Sequence, residues 1–249
     1  MSKRDPVLAF IPARFASSRF PGKPLIDLKG KPMIQRVWEQ ACKAKGVDGV
    51  YVATDDKRIA SVVRAFGGVA LMTPASCPSG TDRIAAALKE LGRVPDSAII
   101  VNVQGDEPLL PPAMIEQAVK ALRRSGAPMA TLARPLSAEE YGNPNAVKLL
   151  WNSRGLAVYF SRSAIPYHCD KPGRLPQGLK MGLHVWLYAY RAGFLRRLAR
   201  TKPSRLELVE RLEQLRVLDM GEAIAVAYTR LTSQAVDTPR DAVKVRHLL

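Results

Sequence analysis

The chain has 249 residues and 47% hydrophobic content, enough for one large mixed domain with its own core and too much for wholesale disorder. Its 38 Lys and Arg against 22 Asp and Glu give a net charge of +16, which is compatible with a polyanionic partner (a nucleic acid, an anionic membrane surface or a small polyanionic substrate) and, for most of the excess, with a plain basic surface. No run approaches the roughly 18 apolar residues of a membrane span, and the short apolar stretch behind Lys3 and Arg4 does not read as a signal peptide.

The β-branched, apolar run Val7 to Ile11 predicts a buried first strand, which Pro12 should end because it has no N–H for a ladder. A turn-rich loop follows, reading Ile-Pro-Ala-Arg-Phe-Ala-Ser-Ser-Arg-Phe-Pro-Gly-Lys-Pro-Leu over residues 11–25. Arg14, Arg19 and Lys23, with the hydroxyls of Ser17 and Ser18, suit a polyphosphate at the end of that strand. Gly22 would let the backbone come close. The loop is neither GxxxxGK[ST] nor GxGxxG, and its plainer alternative is a solvated basic loop. Pro32 opens a helix whose stripe Met33, Val37, Trp38 and Ala41 runs to about Lys45.

Val50 to Ala53 is a second strand ending in Thr54-Asp55-Asp56, and a helix follows from about Lys57 to Phe66. Val69 to Met72 is a third strand. Ser79-Gly80-Thr81-Asp82-Arg83 caps a helix to about Leu91. Ala98 to Val103 is nearly all apolar, hence a central strand, and leads into Gln104-Gly105-Asp106-Glu107-Pro108. Strands alternating with helices predict an α/β fold with a doubly wound, mostly parallel sheet. Ligands of such sheets gather at the carboxyl ends of the strands, which places Arg14, Asp55 and Asp106 on one rim.

From about Pro135 the pattern changes. Ala146 to Trp151, Gly155 to Phe160 and the alternating Gly182 to Arg191 predict an antiparallel subdomain, about residues 135–195, inserted into a single domain spanning 1–249. In the last of these runs His184, Trp186, Tyr188 and Tyr190 share one face. Ser204 and Glu207 form a capping box for one helix to about Asp219, with Glu213 and Gln214 opposite its apolar stripe. A strand from Ala223 to Tyr228 leads to Val236-Asp237-Thr238-Pro239 and a short closing helix. The cationic residues are scattered without a long run or aromatic interleaving, which argues against a nucleic-acid partner. Cys42, Cys77 and Cys169 form no CxxC pair, so reduced thiols in a cytoplasmic protein are the simplest reading.

Asp106 and Asp237 each follow an apolar stretch at a turn closed by proline. Either can be a turn-former or a ligand of Mg²⁺, an ion that takes one or two carboxylates and phosphate oxygens.

Taken together, IPAR…SSRFPGKPL, VATDD, SGTDR, VNVQGDEPL, NPNAVK, FSRSAIP, LEQLR and VDTP resemble the CMP-Kdo synthetase (3-deoxy-manno-octulosonate cytidylyltransferase) family, in that family's order and over nearly the whole chain. The resemblance implies a nucleotidyltransferase-type sheet and transfer of CMP from CTP to the acidic eight-carbon sugar Kdo, for lipopolysaccharide synthesis. It implies that Arg14, Arg19 and Lys23 hold the triphosphate, with Ser17 nearby, and that Ser79 and Arg83 help seat the nucleotide. Gln104, Arg162, His184, Tyr188, Glu213 and Gln214 would line the sugar site, and Asp106 and Asp237 would bind Mg²⁺. A homodimer joined largely through the middle region is implied as well. Trp186 stands where the family commonly has Gly, and Arg240 where an acidic residue is common, which bears on substrate identity. The alternatives are an 8-amino analogue of Kdo or a sialic acid as substrate and, from another class, a basic nucleic-acid-binding protein.

Overall fold

The computed structural model describes residues 4–16 and 20–249. Ser17 and Arg19, both expected at the triphosphate, therefore lie outside the described residues.

In chain order the elements begin with β1 (Val7–Ala13), a 3₁₀ turn (Lys23–Leu25), α1 (Met33–Cys42), β2 (Gly49–Thr54), α2 (Lys57–Ala65) and β3 (Val69–Met72). Next come α3 (Gly80–Leu91), β4 (Ile99–Asn102), α4 (Pro112–Ser125), β5 (Met129–Arg134), α5 (Ala138–Gly142), β6 (Lys148–Trp151) and β7 (Ala157–Ser161). The chain closes with β8 (Met181–Arg191), α6 (Ala192–Arg200), α7 (Arg205–Glu210), α8 (Gln214–Asp219), β9 (Ile224–Tyr228) and α9 (Pro239–Leu248).

One sheet of the described residues holds every strand. Its main path is β3-β2-β1-β4-β8-β5-β9, and the β6–β7 hairpin branches from the first half of β8. β1, β2, β3 and β4 are parallel, and so are β5 and β9, while β8 runs antiparallel between β4 and β5. β8 thus serves two neighbourhoods: Met181 to Leu183 pair with the hairpin and Tyr188 to Arg191 pair with β4.

The apolar runs of β1 and β4 follow from burial on both faces. Val7, Ala9 and Ile11 pack with Val101 against α1, α2 and α4. Leu8, Phe10 and Ile100 point the other way, against α3, α6 and α8. A smaller cluster of Leu28, Met33, Val236, Ala242 and Val245 clamps α9 to the segment after Lys23.

Three differences from the sequence reading have physical reasons. Pro12 does not end β1, which continues to Ala13 and pairs Pro12 with Ala53. In a parallel strand Pro12 faces the same neighbour as Phe10, and β4 stops opposite Phe10, so no ladder donor is missed there. The expected single helix from Ser204 to about Asp219 is two helices. Arg211 stands between them in the left-handed region at φ 53 and resets the face, leaving Val209 83% exposed while Leu212 and Leu215 enter the core. Finally α4, β5, α5 and α6 are elements that the sequence reading leaves unassigned.

The NPNAVK and FSRS segments meet through a buried lysine. Lys148 donates from Nζ to the carbonyls of Asn143 and Arg162 at 2.9 and 2.5 Å, fixing both turns to the start of the hairpin.

Candidate active site

The carboxyl ends of β1 and β4 diverge around a cleft of about 260 Å³. Arg14 comes from the end of β1, Gln104 and Asp106 from the end of β4, Ser79, Gly80 and Arg83 from the start of α3, and Lys23 from the loop. Two glycines permit this convergence. A Cβ on Gly105 would lie 2.8 Å from the Pro12 carbonyl oxygen, and Gly22 takes a left-handed φ of 72 where its N–H returns to the Phe15 carbonyl.

Lys23 is the hinge of the charge pattern. Its Nζ donates to Asp106 Oδ2 at 2.7 Å and approaches Asp237 Oδ1 at 3.5 Å. The Val236 N–H donates to the Asp106 carbonyl at 2.8 Å, so the segment before α9 is tied directly to the QGDEP turn. Asp237 is followed by a capping box, in which Thr238 and Asp241 close the start of α9. Burial, reinforced by the charges of Asp106 and Asp237, pushes neighbouring Glu107 up to about 7. An ammonium held between two carboxylates, together with a carboxyl reluctant to ionise beside them, marks a place that attracts cations. Its donors are hard oxygens only, and the pair fits Mg²⁺, which needs just one or two protein carboxylates when phosphates complete its shell.

At the start of α3, Arg83 is buried and fixed by Thr73 Oγ1 at 2.7 Å and Asp55 Oδ2 at 3.0 Å. Ser79 caps α3 by accepting from the Asp82 N–H. Asp55, expected on this rim, is thus held by Arg83, while its neighbour Asp56 caps α2, where the Arg58 guanidinium holds its carboxyl down at about 2.

A second hollow of about 140 Å³ flanks the same turn from the other side, lined among others by Glu107, Arg134, Asn145, His184 and Trp186. Here the pairing of β5 with β8 slips, from Thr131 opposite Tyr188 to Leu132 opposite Val185, and leaves Trp186 half-exposed in the bulge. The face still holds: the His184 ring meets Trp186 at 4.9 Å and Tyr188 at 5.4 Å between centroids. Thr131 has one hydroxyl proton and two backbone carbonyls within reach, those of Val185 and Leu187. It therefore accepts from His184 Nε2 at 3.1 Å, which leaves the buried Nδ1 of His184 as an acceptor with no partner among the described residues.

Burial pushes His184 down to about 3. The unfolded chain protonates this histidine near 6.5 and the folded one near 3, so stability present above pH 6.5 is lost as the pH falls toward 3. His184→Gln is expected to narrow the difference in urea midpoint between pH 7 and pH 5. An unchanged difference would show that His184 titrates normally in the folded protein.

The remaining residues expected around the sugar are distributed more widely. Gln104 lines the first hollow and His184 the second. Tyr188 and Gln214 are buried behind them, with the Tyr188 hydroxyl donating to Gln214 Oε1 at 3.3 Å. Glu213 accepts from Ser79 and Thr81, and the Arg162 guanidinium donates to the carbonyls of Glu210 and Pro144. Arg134, Glu107 and Asn145 line the second hollow without having been singled out in the sequence. Arg134 was hidden because it ends the unassigned β5, while the expected Arg240 sits exposed on the first turn of α9.

Comparison with known proteins bears on the family and the fold. The family model described as Cytidylyltransferase matches residues 8–224. The 3-deoxy-manno-octulosonate cytidylyltransferase of Vibrio parahaemolyticus is 49% identical over 243 residues, 96% of this chain and 96% of its own. That of Aliivibrio salmonicida is 51% identical over 243 residues, 96% of this chain and 97% of its own. Among solved structures, a CMP:2-keto-3-deoxy-manno-octonic acid synthetase complexed with CTP matches with a TM-score of 0.90 at 41% identity, over 98% of both chains. A 4-diphosphocytidyl-2C-methyl-D-erythritol synthase, with a TM-score of 0.65 at 18% identity over 99% of both chains, shares the fold. With half its residues shared over nearly its whole length, the chain belongs to the 3-deoxy-manno-octulosonate cytidylyltransferase family.

Proposed function

We propose that this protein transfers CMP from CTP to the anomeric hydroxyl of Kdo, releasing pyrophosphate and giving CMP-Kdo for lipopolysaccharide synthesis. The observation that carries the reading is the Lys23–Asp106–Asp237 cluster at the mouth of a strand-end cleft, in a chain half identical to Kdo cytidylyltransferases. Both substrates are anions, so the site must offset their repulsion before they can react.

Arg14 and Lys23 supply fixed positive charge for the triphosphate, while Ser79, Gly80 and Arg83 offer the wall on which the nucleoside sits. Asp106 and Asp237 would hold Mg²⁺, which when bound supplies charge neutralisation at the phosphates and polarises the attacking hydroxyl. The sugar enters from the second hollow, whose wall His184 helps to form and where it orients the ring. His184 is too weak a base to remove the attacking proton, so its part is orientation. The sugar hydroxyl passes its proton to water in the open cleft as its oxygen forms the bond to the α-phosphorus and the bond to pyrophosphate breaks, and Arg14 and Lys23 steady the charge of the leaving group. Pyrophosphate release with CTP, Mg²⁺ and Kdo tests this directly. Turnover that requires all three supports it, and none with Kdo under conditions where CTP binds would refute it.

A second reading concerns the sugar. Trp186 lines the second hollow and is 36% exposed, so an indole occupies space beside His184. Trp186→Gly is expected to change the ranking of Kdo, its 8-amino analogue and a sialic acid, with little change in melting temperature. An unchanged ranking with lower stability would make Trp186 a packing residue. We further propose a homodimer, supported by the exposed apolar side chains Val158, Tyr167 and Leu179 around the hairpin. A cytoplasmic location accords with three free cysteines, and no helix among the described residues is long and apolar enough to cross a membrane.

A further inference from the structure

Glu213 reaches across the fold to the first turn of α3. Its Oε1 accepts from Ser79 Oγ and its Oε2 from Thr81 Oγ1, both at 3.0 Å, joining residues more than 130 positions apart in the chain. We propose that Glu213 is a positioning residue for the nucleotide: by holding Ser79 and Thr81 it locks the start of α3 where Ser79, Gly80 and Arg83 line the cleft. The inference rests on the reading of that cleft as the CTP site.

The arrangement is built from both sides. Arg211 breaks α7 with its left-handed turn, and Leu212 and Leu215 are then driven into the core, which aims the intervening Glu213 at α3. Arg216 fixes α8 by gripping the Glu207 carboxylate at 2.7 and 2.6 Å and the Thr201 carbonyl at 2.9 Å. On the α3 side, one hydroxyl does two jobs. Ser79 Oγ accepts the capping N–H of Asp82, while its single proton lies between Asp82 Oδ2 at 2.7 Å and Glu213 Oε1 at 3.0 Å. Burial raises the pKa of Glu213, and the two hydroxyls and the Arg216 charge work against that, so the ionised form depends on these contacts.

Thr81 separates positioning from direct contact. It is buried, takes no part in lining either hollow, and meets the Tyr190 hydroxyl on its other side. A residue so placed cannot touch CTP, and its hydroxyl acts on the cleft only by fixing α3.

The test is CTP affinity by calorimetry without sugar, together with KM for each substrate, on Thr81→Val, Glu213→Gln, the double variant and Thr81→Ser. Thr81→Val and Glu213→Gln are each expected to weaken CTP binding about fivefold to tenfold, the cost of one hydrogen bond expressed as affinity. The double variant should be no weaker than the worse single one, because both break one linkage. Thr81→Ser should bind like the unaltered chain. CTP affinity within twofold of normal for Thr81→Val overturns the proposal, as do losses that multiply in the double variant. If Thr81→Val fails to fold, the Glu213→Gln and Thr81→Ser arms decide alone. An unaltered chain that binds CTP but makes no CMP-Kdo defeats the sugar reading and leaves this linkage standing; one that binds no CTP defeats both.

Discussion

Asp106→Asn and Asp237→Asn are each expected to lower kcat by a factor on the order of 10³ or more, with the fold intact, because each removes one charge of the pair that gathers cations at the cleft. Asparagine is the informative replacement. It keeps the shape of aspartate and serves turns about as well, so a residue whose whole task is to shape the QGDEP or VDTP turn would tolerate it. Stability should change little, since the contacts to Lys23 are partly exposed: the Asp106 and Asp237 side chains are 28% and 43% accessible. The measurements are kcat for CTP and Kdo and a thermal melt of each variant. A kcat within tenfold of normal for either would assign that aspartate to turn formation. A collapsed melt would instead show that the charge cluster holds α9 in place.

How much of this was legible in the sequence depends on whether the signal was local. β1 and β4 were readable because burial on both faces leaves uninterrupted apolar runs, and the partly exposed β2 and β3 because their short apolar, β-branched runs are bounded by Gly and turn residues. The break between α7 and α8 was not, because Arg211 adopts a left-handed conformation that sequence normally announces with Gly or Asn. The place of the middle of the chain in the sheet was not legible, for a topological reason. β8 alternates as an antiparallel strand should, yet its second half sits at the centre of the sheet between β4 and β5, a position set by long-range pairing. The site shows the same division. Arg14, Lys23, Asp106 and Asp237 could be nominated singly from their turns. That Lys23 lies between the two aspartates, 83 and 214 positions away, follows from strand order and from the cluster that clamps α9. Glu213 was nominated for the sugar by resemblance, and its hold on Ser79 and Thr81 appears only in three dimensions.

Lys23→Ala is expected to cut kcat/KM for CTP by about 10²- to 10³-fold, as the loss of a charge-assisted contact in a water-poor site would. The apparent affinity for the sugar should change much less. The side chain is only 14% exposed and is placed by its surroundings: Gly22 turns the chain at positive φ, and buried Pro24 fixes the 3₁₀ turn that carries it. A lysine so constrained delivers a compact charge to one point, 2.7 Å from Asp106 and 3.5 Å from Asp237. Lys23→Arg should therefore rescue poorly, since a planar fork cannot occupy that point without displacing an aspartate. Steady-state kinetics with each substrate varied in turn give the answer. A selective loss for CTP places the ammonium at the triphosphate, whereas equal losses for CTP and Kdo would mean that the loop shapes the whole site and that Lys23 acts by holding Asp106 and Asp237 together.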